Sequence, residues 1–350
     1  MDILIVTDAW HPQVNGVVRT LVNVIGEFER RGHKVRTVTP SDYLSVPMPT
    51  YPEIRLSLTM ARSMRRLLAA AAPDAVHIAT EGPLGLAARK ACLQLGWRFS
   101  TSYHTRFPEY LNARIPVPVE WTYAFLRRFH NAGTACLVAT ESMAAELRSK
   151  GFRNLVAWTR GVDHELFNPA RRSSDPAGLG PYAGLERPVF LNVGRVSVEK
   201  NLEAFLGLEL PGQKVIVGDG PARAQLERSY PDVLFLGTLV GEELAQAYCL
   251  ADVFVFPSLT DTFGNVLLEA LACGLPVAAY PVPGPLDVID GSGAGVLDDD
   301  LRKAALAALD IPREAALAHA AKYTWDECGR IFIEAGMNAS RAKAAAVKAV

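Results

Sequence analysis

The stretch that decides the fold is Ser258-Leu-Thr-Asp-Thr-Phe-Gly-Asn-Val-Leu-Leu-Glu-Ala-Leu-Ala-Cys-Gly274, which directly follows the apolar run Val253-Phe-Val-Phe-Pro257. The apolar run predicts a buried strand. The polar residues at 260–262 are suited to cap a helix, and Gly274 is suited to end it. A strand, a polar elbow and a helix are therefore expected, with unpaired backbone N–H groups around Phe263, Gly264 and Asn265.

This elbow predicts an anion site. A helix N-terminus attracts phosphate, and Gly264 allows an anion to come close to the backbone. Asp261 lies in the elbow, and Glu269 follows eight positions later, about two turns into the expected helix. Since carboxylates repel phosphate, both acids are better suited to accept hydrogen bonds from hydroxyl groups. A phosphate beside many hydroxyls indicates a nucleotide sugar. The alternative interpretation is a helix-capping Asp and a solvated Glu.

The same segment resembles the acid-x7-acid signature of retaining glycosyltransferases of family 4. That resemblance implies an α/β protein of the GT-B fold. Two Rossmann-like domains with parallel sheets would face each other across a cleft, and a C-terminal helix would return to the N-terminal domain. The first acid of the family signature is usually Glu, whereas here it is Asp261. Its side chain is one methylene shorter, which reduces its reach toward a sugar.

Length and composition are consistent with this. The chain has 350 residues, of which 49% are hydrophobic, enough for two domains with separate cores. A formal charge of -1 without a long basic stripe argues against nucleic-acid binding. The five cysteines are scattered, which predicts reduced, buried thiols and no zinc site. The chain starts directly with a strand, so no signal peptide is expected, and no apolar run approaches the ~20 residues of a membrane span. A cytoplasmic protein, peripheral on the inner membrane face if bound to lipid, is expected.

A second helix N-terminus is expected near the start of the chain. Asp2–Thr7 predicts a central parallel strand, and a helix follows from about Val17, with Asn15-Gly16 at its beginning. By itself Asn-Gly is only a turn signal. In family 4 the corresponding glycine lies against the donor phosphates, and the P-x-x-x-G spacing of Pro12 and Gly16 matches. No G-x-G-x-x-G loop follows the strand, so the fingerprint of an NAD site is absent.

Strands and helices alternate through the first half, which predicts a parallel sheet wrapped on both faces. Ligands of such sheets bind beyond the carboxyl ends of the strands. His104 occupies that edge in Ser102-Tyr-His-Thr-Arg-Phe-Pro108. A lone histidine is often structural, and this alternative stays open. The resemblance implies that His104 contacts the transferred hexose and that Arg106 meets the acceptor.

The domain organisation follows from composition. A stretch rich in Pro, Gly and Ser lies around residues 169–187 and predicts a linker. We therefore expect an N-terminal, acceptor-side domain at 1–168 and a C-terminal, nucleotide-sugar-binding domain at 188–325. Tyr323-Thr-Trp-Asp326 resembles the family motif that precedes the returning helix, which we place at 326–350.

Two cations follow the strand predicted at Val189–Val193. Arg195 and Lys200 share one loop, where Arg can donate to two phosphate oxygens at once and Lys supplies a mobile charge. Solvated surface charges are the alternative. The pattern G-R-x-x-x-x-K-N from Gly194 resembles the diphosphate clamp of the family. The resemblance also implies that Thr238 and Leu239 contact the nucleotide base.

Two stretches have the composition of a membrane-surface helix. Met60–Leu68 contains Arg62, Arg65 and Arg66, and Arg114–His130 combines arginines with four aromatic residues, namely Trp121, Tyr123, Phe125 and Phe129. Aromatic and basic residues at helical spacing are typical of an interfacial helix on anionic lipid. The alternative is ordinary core packing with a solvated basic face.

Together these residues and the resemblance to family 4 imply a metal-independent retaining hexosyltransferase without a cofactor, using a UDP- or GDP-sugar. The expected catalytic residues are His104, Arg195, Lys200 and Asp261. Cations and backbone N–H groups around Gly264 and Gly16 would stabilise the leaving diphosphate, mainly in the transition state. Glu269 would hold the ribose and Asp261 the hexose. A lipid acceptor is expected; a soluble acceptor, a nucleotide-sugar epimerase of GT-B fold and a non-catalytic sugar-binding module are the alternatives.

Overall fold

The computed structural model describes residues 1–13, 15–48, 51–104, 108, 117–171, 182 and 184–347, without the side chains of 48, 51–54 and 337–347. Arg106 and most of the predicted linker lie outside these residues. The chain forms two compact units: unit 1 is Met1–Arg160 with Trp325–Val350, and unit 2 is Gly161–Thr324.

Both units alternate strands and helices. The described strands are β1 Asp2–Val6, β2 Lys34–Val38, β3 Ser45–Met48, β4 Tyr51–Ser57, β5 Ala75–Ile78, β6 Ser100–Tyr103, β7 Ala135–Val138, β8 Leu155–Ala157, β9 Val189–Val193, β10 Gln213–Val217, β11 Leu234–Phe235, β12 Val253–Phe256, β13 Val277–Ala279 and β14 Gly295–Leu297. The described α-helices are α1 Gly16–Arg30, α2 Ala61–Ala71, α3 Pro83–Leu95, α4 Val119–His130, α5 Glu141–Ser149, α6 Leu202–Leu206, α7 Arg223–Ser229, α8 Gly241–Leu250, α9 Asn265–Ala272, α10 Pro285–Ile289, α11 Leu301–Ala308, α12 Arg313–Ala320 and α13 Trp325–Val347.

Unit 1 is a parallel sheet with the strand order β2-β1-β5-β6-β7-β8, covered by helices on both faces. Successive side chains of a strand point to opposite faces. Leu4 and Val6 of β1 pack in the core beneath α2 and α3. Ile3 and Ile5 pack on the other side, against α1 and the last helix, α13. A two-stranded antiparallel hairpin, β3–β4, is separate from this sheet.

The last helix packs on unit 1, as predicted. The indole Nε1 of Trp158 donates to the carbonyl of Cys328 at 3.0 Å, and the ring of Phe332 lies 4.3 Å from that of His77. The family fold is confirmed in this respect, because the chain leaves unit 1 near residue 160 and re-enters it at residue 325.

Unit 2 is a second parallel sheet, with the order β11-β10-β9-β12-β13-β14. The direction of the strand order reverses between β9 and β12, which lie side by side. In open α/β sheets such a reversal opens a crevice at the carboxyl ends of the two strands. The loops that follow β9 and β12 are therefore where a ligand is expected.

Two boundaries differ from the sequence predictions. The first unit ends at Arg160 and not at 168, because the following segment joins unit 2, where the ring of Phe167 lies 5.9 Å from that of Tyr248. The prediction that residues 260–262 cap the elbow helix is wrong. The N-cap of α9 is Gly264, at a φ of 84° that favours glycine, so Glu269 lies just over one turn into the helix.

All five cysteines are buried and free, as predicted. None of the helices in the described part of the chain combines the length and apolarity needed to cross a bilayer.

Candidate functional site

The loops after β9 and β12 are joined by polar side chains. Asn201 ends the first loop at a φ of 54°, and its Nδ2 donates to the carbonyl of Pro257 at 3.1 Å. Beside it, Lys200 Nζ lies 2.5 Å from Asp261 Oδ1, with 27% and 18% of the two side chains exposed. The structure thus brings together a cation and a carboxylate that the sequence predicted separately.

Polar atoms on these two loops remain buried without a partner. No described residue hydrogen-bonds to Asp261 Oδ2, nor to the hydroxyls of Ser197 and Ser258. Ser197 belongs to the loop after β9, and Ser258 to the loop after β12. Buried polar groups are normally hydrogen-bonded, so three such atoms together indicate a site that a polar ligand completes. Sequence reasoning missed both serines, since serine in a loop has many structural roles.

A third loop, after β10, packs backbone to backbone against the first. A Cβ on Gly218 would lie 1.8 Å from the carbonyl oxygen of Gly194, and one on Gly220 would lie 2.3 Å from that of Val196. Glycine is therefore required at both positions, as expected for a structural turn. Gly218 N–H also donates to Gly237 O at 2.7 Å, which holds the loop carrying Thr238 at the same edge of the sheet.

The elbow leads into α9 with its N-terminus at this edge. Gly264 has no side chain with which to cap the helix, and the positive end of the helix dipole lies beside the Lys200–Asp261 pair. A Cβ on Gly284 would lie 3.1 Å from Asp261 O and 3.2 Å from Phe263 O, so a second glycine turn supports the elbow.

Glu269 is buried. Only 4% of the residue is exposed, and its Oε2 accepts a 2.9 Å hydrogen bond from the buried hydroxyl of Tyr248 on α8. The alternative interpretation of a solvated Glu and a capping Asp is therefore wrong for both acids. Tyr248 was missed because it lies twenty-one positions before Glu269 in sequence.

The other predicted donor contacts of unit 2 lie at the same edge. Arg195 and Thr238 are exposed, and Leu239 and Asn265 are half-buried. Phe263 is buried in the elbow. The ligand contacts that the sequence assigns to them stay predictions.

In unit 1 the N-terminus of α1 is capped by Asn15. Its Oδ1 accepts from the N–H groups of Val17 and Val18, both at 3.0 Å, so two of the first-turn donors are already bonded. Gly16 is exposed at this helix start. The nearby Asp8 was not predicted as a site residue; its carboxylate accepts from Leu84 N–H at 2.8 Å and Gly85 N–H at 3.2 Å, at the start of α3.

His104 directly follows β6, at the carboxyl edge of the sheet of unit 1. Its ring lies 5.9 Å from that of Trp158, and the guanidinium of Arg160 lies 4.2 Å from the centroid of the same indole. Burial and the charge of Arg160, together with His77 and His130, lower the pKa of His104 well below its ordinary value. His104 is therefore a neutral imidazole at physiological pH, able to exchange hydrogen bonds with a hydroxyl.

Two further histidines are buried beneath this edge. The ring nitrogens of His77 lie 2.9 Å from Ser100 Oγ and 2.8 Å from Ser102 Oγ, and burial lowers its pKa to about 3. His130 Nε2 lies 3.0 Å from Glu81 Oε1. Burial by itself lowers the pKa of His130, but the interactions with Cys136 and the Glu81 carboxylate are larger in sum and raise it to about 10.

These opposite shifts predict a stability maximum of unit 1 near pH 6.5, the ordinary pKa of histidine. Below it, the unfolded chain binds protons at His77 and His104 that the folded chain does not, so stability falls, with each histidine contributing up to about 1.4 kcal/mol per pH unit. Above it, the folded chain holds the proton of His130 more tightly than the unfolded chain, and that contribution is lost as pH rises toward 10. All five tryptophans belong to unit 1, so urea unfolding followed by tryptophan fluorescence measures this unit.

The histidine variants separate the two limbs. His77→Gln should reduce the acid slope and leave the alkaline limb unchanged. Replacing His11, an exposed histidine of the same unit, by Gln is the matched control. An acid slope that is the same in His77→Gln as in the unmodified chain would contradict the assignment.

Comparison with known proteins is consistent with this geometry. Residues 14–166 match the family model described as Glycosyltransferase Family 4, and residues 187–311 match that of Glycosyl transferases group 1. A GDP-mannose-dependent alpha-mannosyltransferase of Mycobacterium tuberculosis is 32% identical over 84% of this chain and 83% of its own length. The sulfoquinovosyl transferase SQD2 of Arabidopsis thaliana is 32% identical over 79% of this chain and 58% of its own length.

More distant relatives extend the comparison. An alpha-monoglucosyldiacylglycerol synthase of Streptococcus pneumoniae is 26% identical over 88% of this chain and 78% of its own length. Among solved structures, the sucrose-phosphate synthase of Thermosynechococcus elongatus superposes with a TM-score of 0.77 at 19% identity, covering 98% of this chain and 99% of the other. That likeness, together with the two parallel sheets, identifies the predicted GT-B fold.

Proposed function

The chain belongs to glycosyltransferase family 4 and is a hexosyltransferase that uses a nucleotide sugar, and from this premise we propose that it transfers a hexose from a GDP- or UDP-sugar to a lipid hydroxyl with retention of configuration. GDP-mannose is the first donor to test, because the Mycobacterium tuberculosis relative is named as dependent on it. The lipid acceptor is supported by the relative named as a glucosyldiacylglycerol synthase.

The observation that carries the proposal is the group of buried polar atoms at the carboxyl edge of β9 and β12. Asp261 Oδ2, on the acid that pairs with Lys200, and the hydroxyls of Ser197 and Ser258, on the loops after β9 and β12, have no partner among the described residues. The cation and the helix dipole favour phosphate, and the carboxylate and hydroxyls favour a sugar. A nucleotide sugar supplies both kinds of group.

The chemistry follows from these charges. As the bond between sugar C1 and the diphosphate oxygen breaks, its electron pair leaves with the phosphate. Arg195, Lys200 and the N–H groups at the start of α9 stabilise the growing negative charge, and a stabilisation that increases in the transition state raises turnover. The acceptor oxygen attacks C1 on the face that the diphosphate leaves, and its proton passes to the departing phosphate. The cations and N–H groups of the chain balance the charge of the leaving group in this proposal, without a metal.

A donor panel tests the function. The purified chain is incubated with GDP-mannose, UDP-glucose, UDP-galactose and UDP-sulfoquinovose, with and without a bacterial lipid extract. We expect nucleoside diphosphate release from one donor that is strongly increased by the extract, and a new glycolipid. Transfer to a soluble saccharide in the absence of lipid would contradict the lipid acceptor, and conversion of the donor into its epimer without any acceptor would contradict the transferase.

Lipid recognition is further supported by one face of unit 1, formed by α2, α3 and α4. These helices carry seven Lys and Arg side chains against one carboxylate, Glu120, in a chain whose net charge is -1. Their exposed cations are Arg62, Arg65, Arg66, Lys90 and Arg128. Exposed apolar side chains lie among them, at Met60 (77% exposed), Leu86, Leu93, Trp121 (72%) and Phe125. We call this set the basic helical face.

These helices carry both core residues and exposed residues, and the membrane-surface interpretation stays a prediction. Met64 and Leu68 of α2, and Tyr123 and Phe129 of α4, are core residues, whereas Trp121 and Phe125 point outward. Exposed aromatic and aliphatic residues among arginines fit the headgroup region of an anionic bilayer. We therefore include peripheral docking on anionic lipid in the proposed function.

Vesicle flotation measures this docking. The chain should float with vesicles of equal parts phosphatidylglycerol and phosphatidylcholine at low salt, and not with phosphatidylcholine alone. Replacing Arg65 and Arg66 by Gln should reduce the partition coefficient about 30-fold, since each arginine near the surface contributes roughly 1 kcal/mol. The control replaces Arg19 and Arg30, which lie on α1 across the sheet. Equal loss in both double variants would contradict the assignment of the basic helical face.

A further inference from the structure

In the proposed function, the Lys200–Asp261 pair contacts two parts of the donor, the diphosphate and the hexose. Lys200 would bind the diphosphate and Asp261 the hexose, yet the two side chains bind each other at 2.5 Å. A diphosphate next to this pair competes with Asp261 for the ammonium group and is repelled by its carboxylate. Asp261 is therefore unfavourable for the diphosphate and favourable for the sugar.

The free oxygen of Asp261 decides which effect is larger. Asp261 Oδ2 is buried, and no described residue donates a hydrogen bond to it. A hexose hydroxyl would satisfy this oxygen and offset the loss of the ammonium group, because hydrogen bonds to a charged acceptor are among the stronger ones. A nucleoside diphosphate that has lost its sugar has no hydroxyl to offer at this position. The carboxylate then opposes the diphosphate without compensation.

We propose that Asp261 distinguishes the intact nucleotide sugar from the nucleoside diphosphate product, and that its return to Lys200 promotes release of that product. This inference rests on the proposed function of the same site. It gives Asp261 a role besides contact with the sugar. The hydrogen bond between Asn201 and Pro257 joins the two loops and holds Asp261 near Lys200, so that the ion pair can form again after the sugar has left. It also predicts that removing the charge of Asp261 strengthens the binding of the nucleoside diphosphate, whereas the loss of a binding residue usually weakens binding.

The test is calorimetric binding of GDP and UDP to the whole chain and to Asp261→Asn. The amide keeps the shape of the side chain and removes its charge. We expect the Kd of the preferred nucleoside diphosphate to fall about tenfold, the scale of one pKa unit of charge interaction, while turnover also falls. A control variant, Asp310→Asn, removes an exposed carboxylate of unit 2 and should leave the Kd unchanged.

Two outcomes would overturn the inference. If Asp261 mainly orients Lys200, Asp261→Asn should bind the diphosphate more weakly, and Lys200→Met should abolish the difference between Asp and Asn at 261. Unchanged binding in a variant that keeps the far-ultraviolet circular dichroism of the parent is equally decisive. In both cases the unmodified chain still binds GDP or UDP. Binding of neither nucleotide by the unmodified chain would instead overturn the proposed function.

Discussion

Lys200→Ala is expected to lower turnover about 100-fold, or about 2.7 kcal/mol in the activation barrier, with the fold intact. Lys200 forms an ion pair with the elbow acid Asp261, at 2.5 Å. Its charge would stabilise the departing diphosphate mainly in the transition state, so kcat should fall more than the donor KM rises. The stability cost should be small, because the pair is partly exposed.

A matched control exists in the same unit. Lys303 pairs with Asp298 at the same 2.5 Å, but 70% of its side chain is exposed and it lies on α11. Lys303→Ala removes an ion pair of the same geometry and should leave turnover unchanged. Steady-state kinetics with the donor found in the panel measures both. A loss below tenfold in Lys200→Ala, or an equal loss in Lys303→Ala, would mean that the charge of Lys200 does not act on the leaving group.

Glu269→Ala is expected to reduce turnover at least tenfold and also to lower the free energy of unfolding by about 1–3 kcal/mol. The two effects have separate causes. The first is the loss of the acceptor proposed for the ribose hydroxyls. The second arises because the hydroxyl of Tyr248, buried at 2.9 Å from Glu269 Oε2, is left without its acceptor.

Two conservative variants separate these causes. Glu269→Gln keeps an acceptor for Tyr248, so stability should recover while turnover stays low. Tyr248→Phe removes the hydroxyl and leaves the carboxylate, so turnover should remain within a few-fold of the parent. Urea unfolding followed by circular dichroism measures stability, since unit 2 contains no tryptophan. Full turnover in Glu269→Gln would assign Glu269 to the core of unit 2 and not to the donor.

The sequence by itself determined most strands of the two sheets. The apolar runs at β1, β9 and β12 predicted their strands within a residue or two, because strands buried on both faces must be continuously apolar. Three of the described strands were missed. Strands β3 and β4 each contain a proline, and β14 begins at Gly295, where a Cβ would lie 2.4 Å from the carbonyl oxygen of Val277.

Only the tertiary structure decided which side chains meet. The elbow, the glycine turns and the candidate acids could be predicted from the sequence, because each depends on residues that are neighbours along the chain. The pairing of Lys200 with Asp261, and of Tyr248 with Glu269, depends on residues 61 and 21 positions apart. These residues meet in space because the crossover connections place β9 beside β12 and because α8 packs against α9. The sequence separation of two residues does not predict such a contact. Burial of apolar faces determines which elements pack together, and the polar side chains at those contacts then form hydrogen bonds and ion pairs with each other.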